Sequence, residues 1–167
     1  MKTPLKLIAI LFTALLLNCG GKEEKKKEGF SYEKKETTVK KEVKKDESIP
    51  PSKQIDLTNK GIGPITSLTL DDKIDQKMAT HGGEVFKKLC TACHRVDKKF
   101  IGPAPKGITE RRSPEWIMNM ILNPVEMTQK DPLAKALLME FNGAPMANQS
   151  LSEEDARAVL EYFRTLK

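Results

Sequence analysis

The chain has 167 residues, a formal charge of +6 and 5% aromatic residues, enough for one domain with appendages. Residues 1–59 hold 13 Lys against 9 acidic residues, a balance of +4; residues 60–167 hold 16 basic against 14 acidic, a balance of +2. The basic excess therefore lies mostly outside the part that can fold, and no nucleic-acid partner is expected.

Met1–Lys6 is a short basic stretch, and Leu7–Leu17 is an almost unbroken apolar run. Both fit a secretory signal, and the run is too short for a comfortable membrane span. It closes on Leu16-Leu17-Asn18-Cys19-Gly20, which resembles the lipobox of bacterial lipoproteins, although Asn18 stands where a small residue is usual. Residues 1–18 are read as a lipoprotein signal peptide and Cys19 as the lipidated residue. This implies a bacterial cell-envelope location, lipid-anchored and periplasm-facing or surface-exposed. The absence of Asp after Cys19 favours the outer membrane. Residues 19–59 are read as a disordered tether, because Lys22 to Asp46 is Lys and Glu with few apolar residues to offset ordering entropy. About forty such residues reach roughly 35 Å. Gly61-Ile62-Gly63-Pro64 is turn chemistry, and residues 52–70 are expected to wrap the surface of a domain spanning 60–167.

After Leu70 the pattern is helical throughout. A first helix is expected from Asp72 or Asp75 to Cys93, with Met78, Val85, Phe86 and Leu89 inward. A second starts at Ser113-Pro114, Ser as N-cap and Pro at N1, and stops near Asn123-Pro124. A third starts at Asp131-Pro132 and carries Leu133, Leu137 and Phe141 at four-residue spacing. The last is capped by Ser152, has three acids at its positive end, and presents Ala156, Val159, Leu160 and Phe163 on one face. No strand pattern is present, so the fold class is all-α.

The first helix leads into Cys90-Thr91-Ala92-Cys93-His94, and C-x-x-C-H is the attachment signature of c-type haem. Two thiols two residues apart can each add to one vinyl group of the porphyrin, and the adjacent imidazole becomes the iron's proximal ligand. A zinc site would need two further Cys or His ligands, and only Cys19 and His81 remain. A thioredoxin-like motif would need a βαβ setting. Three Cys thus leave one lipid attachment, two thioethers and no disulfide. Export agrees with this reading, since c-type haem is attached outside the cytoplasm.

Residues 75–167 resemble the small monohaem class I cytochromes c, helical electron-transfer domains around one covalent haem. The resemblance rests on Gly82, Phe86, Cys90, Cys93 and His94 in the order G-x-x-x-[FY]-x-x-x-C-x-x-C-H, on Gly102-Pro103, and on Leu160-Glu161-Tyr162-Phe163. It implies that Gly82 and Tyr162 meet where the last helix crosses the first, Gly82 by lacking a Cβ. It implies that the Pro103 carbonyl accepts the Nδ1 proton of His94. The family often has Leu two residues after that Pro; here Pro105 departs from it. Met146 stands where the family places its axial methionine, just before the final helix. Met127, in a stretch read as irregular, and Met139, read as core filler, are its rivals. His81, on the first helix, is read as solvated or capping. Arg111, Arg112 and Trp116 occupy the region from which family members hold the haem propionates, with an anchoring role as the alternative for Trp116 and solvent exposure for the arginines. Lys87, Lys88, Lys98, Lys99 and Lys106 are a candidate docking ring or a solvated face.

The implied function is one-electron transfer by a membrane-tethered cytochrome c, with one haem c and its iron as cofactor and no enzyme activity. Its expected partners are respiratory redox proteins such as a nitrogen-oxide reductase or a terminal oxidase. Two rivals are a haem enzyme or gas sensor with a labile sixth ligand, and a fixed cytochrome subunit of a larger complex.

Overall fold

The computed structural model describes residues 49–167. The expectations for Cys19, the signal peptide and most of the tether lie outside these residues. Within them are five α-helices and no strand: α1 (Gln76–Leu89), α2 (Pro114–Leu122), α3 (Pro124–Lys130), α4 (Pro132–Glu140) and α5 (Glu153–Arg164). A single 3₁₀ turn, Ile108–Glu110, precedes α2.

Every helix but α3 starts where a capping side chain accepts from its orphan N–H groups. Asp75 accepts from Lys77 and Met78, Ser113 from Trp116, Asp131 from Ala134, and Ser152 from Asp155. α1 ends earlier than the sequence pattern suggests, at Leu89. Cys90–His94 leave it as a turn, in which the Cys93 and His94 N–H groups both donate to the Cys90 carbonyl, at 3.1 and 2.9 Å. Asn123-Pro124 does not lead into an irregular stretch. Pro124 ends α2, because it offers no N–H, and opens α3 at N1, where none is needed.

α1 and α5 cross at close range. A Cβ at Gly82 would lie 1.9 Å from the Ala158 carbonyl oxygen, so only glycine permits the approach. Phe86 of α1 meets Tyr162 and Phe163 of α5 at ring-centroid distances of 5.6 and 5.7 Å. The apolar core continues from there into α2 through Trp116, Ile117 and Ile121, then into α3 and α4 through Met127, Ala134 and Leu137.

The folded body begins before residue 60. Residues 50–59, expected in the tether, form with 60–75 a strap bonded to one helix after another. Ser52 donates through N and Oγ to Glu140, at 2.7 and 2.6 Å. Asn59 donates to Asp131 at 2.7 Å, and the Ile62 N–H meets the Met127 sulfur at 3.0 Å. Asn119, 1% exposed, accepts from the Ile65 N–H and donates to the Lys60 and Ile65 carbonyls. The strap ends at Asp75, whose N–H donates to the buried Glu161 of α5. Residues 52–70 therefore wrap the helices as expected, held largely by side chains reaching out from them.

Candidate functional site

The turn after α1 delivers two thiols and an imidazole to one region. Cys90 is half-buried, Cys93 is exposed, and neither is in a disulfide. Burial, followed by the nearby Cys93, pushes the Cys90 thiol above its ordinary range. His94 Nδ1 lies 2.8 Å from the Pro103 carbonyl oxygen. That acceptor makes Nδ1 the protonated nitrogen and leaves Nε2 with its lone pair, without a hydrogen-bond partner among the described residues. Gly102, read from the sequence only as part of the Gly102-Pro103 match, has a packing role of its own here. A Cβ on it would sit 2.5 Å from His94 Cε1, so the loop can lie flat against the ring only because Gly102 has no side chain.

Two clefts flank this imidazole and share His94, Pro103, Met120 and Met146. One, of about 470 Å³, runs from Cys93 and Ile101 to Leu137, Phe141 and Pro145. The other, of about 660 Å³, runs from Cys90 and Phe86 to Trp116, Ile121 and Phe163. No Lys, Arg, Asp or Glu lines either cleft. Thr128 and Gln149 are the polar side chains there besides Cys90, Cys93, His94 and the Trp116 indole. Met120 escaped sequence reasoning because its position on α2, four residues after Trp116, reads as ordinary core.

The structure separates the three candidate methionines. Met146 lines both clefts with His94, on the loop before α5. Met127 is fully buried within α3, its sulfur against the Ile62 N–H, and it lines neither cleft. Met139 is 70% exposed, so it is not core filler. His81 pairs with Asp155 at 2.8 Å on the surface, where its ring bonds α1 to the first turn of α5 and holds the Asp155 carboxyl below its ordinary range.

The three residues expected near the propionates divide: neither Arg111 nor Arg112 lines the two clefts, whereas Trp116 lines the larger one. Arg112, 1% exposed, donates to the Pro51 and Gln54 carbonyls and fixes the root of the strap. Arg111 donates to the Gly107 and Lys106 carbonyls, and neither arginine lines the two clefts. Trp116 does line the larger cleft, but its indole N–H donates to Asp131 at 3.2 Å, anchoring α2 to the start of α4. The two neighbouring arginines are used differently: Arg111 clamps the backbone just before it, and Arg112 clamps the distant strap.

The cytochrome c family profile matches residues 79–167, and the chain belongs to that family. Cytochrome c-551 of Pseudomonas denitrificans is 32% identical over 88 residues, covering 52% of this chain and 98% of that protein. A solved cytochrome c from Rhodothermus marinus is 47% identical, with a TM-score of 0.60 over 62% of this chain and 89% of that one. An engineered form of it is 46% identical at the same TM-score. The described body is thus a cytochrome c domain, an electron carrier by class, and its cofactor is one covalent haem c with its iron. The residues present fit that group. Two unpaired thiols stand at one edge, an imidazole is oriented through its far nitrogen, and the walls on both sides are apolar.

Proposed function

We propose that this protein is a membrane-tethered, non-enzymatic one-electron carrier in the bacterial envelope, serving a respiratory redox partner. The observation that carries the reading is the shared lining of the two clefts, which sets His94 and Met146 around one slot with no other charged or catalytic side chain. Bound haem would supply a ferric/ferrous couple. Cys90 and Cys93 would hold the porphyrin through thioethers, and His94 would offer Nε2 to the iron while Pro103 fixes the ring. Met146 would offer a soft, neutral thioether, which favours the reduced state. The apolar walls exclude water, and the exposed Cys93 and Ile101 mark the edge where electrons enter and leave. The cleft linings offer no acid, base or nucleophile beyond Cys90, Cys93 and His94, all three of which the haem would occupy.

The tether rests on the apolar run, Cys19 and the Lys/Glu-rich stretch before Ile49. Lipid on Cys19 would hold the domain at a membrane, with the stretch giving it reach. One acyl chain binds weakly, so stable anchoring requires more than one. The test is spectropotentiometric titration of fractionated cells. A reversible one-electron couple in the membrane fraction, moving unchanged to the soluble fraction in Cys19→Ser, is the expected result. A couple that stays at the membrane in Cys19→Ser would show anchoring by protein contacts and favour a fixed subunit.

A further inference from the structure

The Asp97–Lys106 loop, the root of the strap and the end of α4 enclose a third cleft, of about 850 Å³, on the outer side of Pro103. Its chemistry is the reverse of the two apolar clefts. Lys53 comes from the strap, Lys98, Lys99 and Lys106 from the loop, and Arg111 from beyond it. Two acids share the lining, Asp97 and Glu140. Both carboxylate oxygens of Glu140 already accept from Ser52, at 2.7 and 2.6 Å. Lys99 is held over the Phe141 ring, its Nζ 4.5 Å from the centroid. Arg111 spends Nη1 and Nη2 on the Gly107 and Lys106 carbonyls, yet its Nε is buried with no acceptor among the described residues.

We propose that this cleft binds a small multivalent oxyanion of the phosphate class, and that its occupancy lowers the reduction potential of the domain. Five cations converge from separate chain segments around two carboxylates, so the cleft lining carries a formal excess of positive charge. A tetrahedral oxyanion relieves that excess through charge-assisted bonds from the exposed Lys53 and Lys106, which a monatomic ion makes less well. Pro103 is a wall of this cleft and, through its carbonyl, the partner of His94 Nδ1. Negative charge on that side favours the oxidised over the reduced iron. Linkage then requires the oxidised protein to bind the anion more tightly, by the factor that sets the fall in potential. The redox consequence rests on the carrier reading; binding does not, so calorimetry and redox titration fail separately.

The test uses the haem-loaded full chain titrated with inorganic phosphate at constant ionic strength, balanced with chloride. Saturable heat is expected, tighter in the oxidised protein, with a potential that falls to a plateau at the same phosphate concentration. Lys53→Gln with Lys106→Gln, both exposed, should weaken binding at least tenfold and leave the visible spectrum unchanged. Absence of saturation, equal binding by the double variant, or the same shift with chloride alone would each overturn the proposal. Binding of a poly-glutamate peptide but not of phosphate would also overturn it, assigning the cleft to a partner's carboxylates.

Discussion

Gly102 shows how a single missing side chain sets the position of the His94 ring. Its φ is not among the positive values found at Gly61, Gly63, Gly107 and Gly143, so its backbone would accept alanine. The obstacle is the imidazole, 2.5 Å from where the new methyl would lie. Gly102→Ala should therefore shift His94 off the Pro103 carbonyl and destabilise the haem-loaded protein by about 1–3 kcal/mol, the usual range for overpacking. Denaturant unfolding followed at the haem band measures this; an unchanged midpoint would mean the loop has room to move. The methionines offer a second comparison. Oxidised cytochromes with a thioether on iron show a weak far-red charge-transfer band, and that band should vanish in Met146→Ala. It should persist in Met127→Ala, which loses buried packing of about 2–5 kcal/mol. It should persist in Met139→Ala with almost no change in stability, since that side chain faces solvent. A band lost with Met127 and kept without Met146 would contradict the assigned loop.

At the scale of elements, the strap binds the helices through polar side chains that are themselves buried. Glu161 is the clearest, 1% exposed and shared by Arg157, Arg164 and the Asp75 N–H. Burial alone would raise its carboxyl, but the two guanidinium groups and the N–H outweigh that and hold it below its ordinary value. A carboxyl depressed in the folded chain gives stability that is complete above the unfolded value, near pH ~4.3, and lost as pH falls through the folded value. Glu161→Gln should thus cost about 3 kcal/mol at neutral pH, as for one partner removed from a buried pair, and the gap should close in acid. Unfolding curves of both proteins across pH 2–7 read this out, and a pH-independent gap would mean that shape rather than charge is lost. The same element explains what the sequence could and could not disclose. Ser113, Asp131 and Ser152 announced their helices because caps are local chemistry. α3 stayed hidden because Pro124 was read only as a stop. The burial of Arg112 and Asn119 gives no local signal because the acceptors that bury them lie on the strap, more than fifty positions away.

For the whole molecule, the haem site was largely legible because C-x-x-C-H and Gly102-Pro103 place their atoms within one loop and one turn. What lay beyond reach were the apolar walls, assembled from α2, α4 and the loop before α5, and the use of the double arginine away from the slot. With Met146 on the iron, as proposed, those walls would close the site, and a closed site is what separates an electron carrier from a gas sensor or haem enzyme. Mixing the reduced protein with carbon monoxide tests that closure directly. Slow and incomplete binding by the natural protein, with fast and complete binding by Met146→Ala, is the result a thioether-closed carrier predicts. Fast and complete binding by the natural protein in a single mixing step would contradict it.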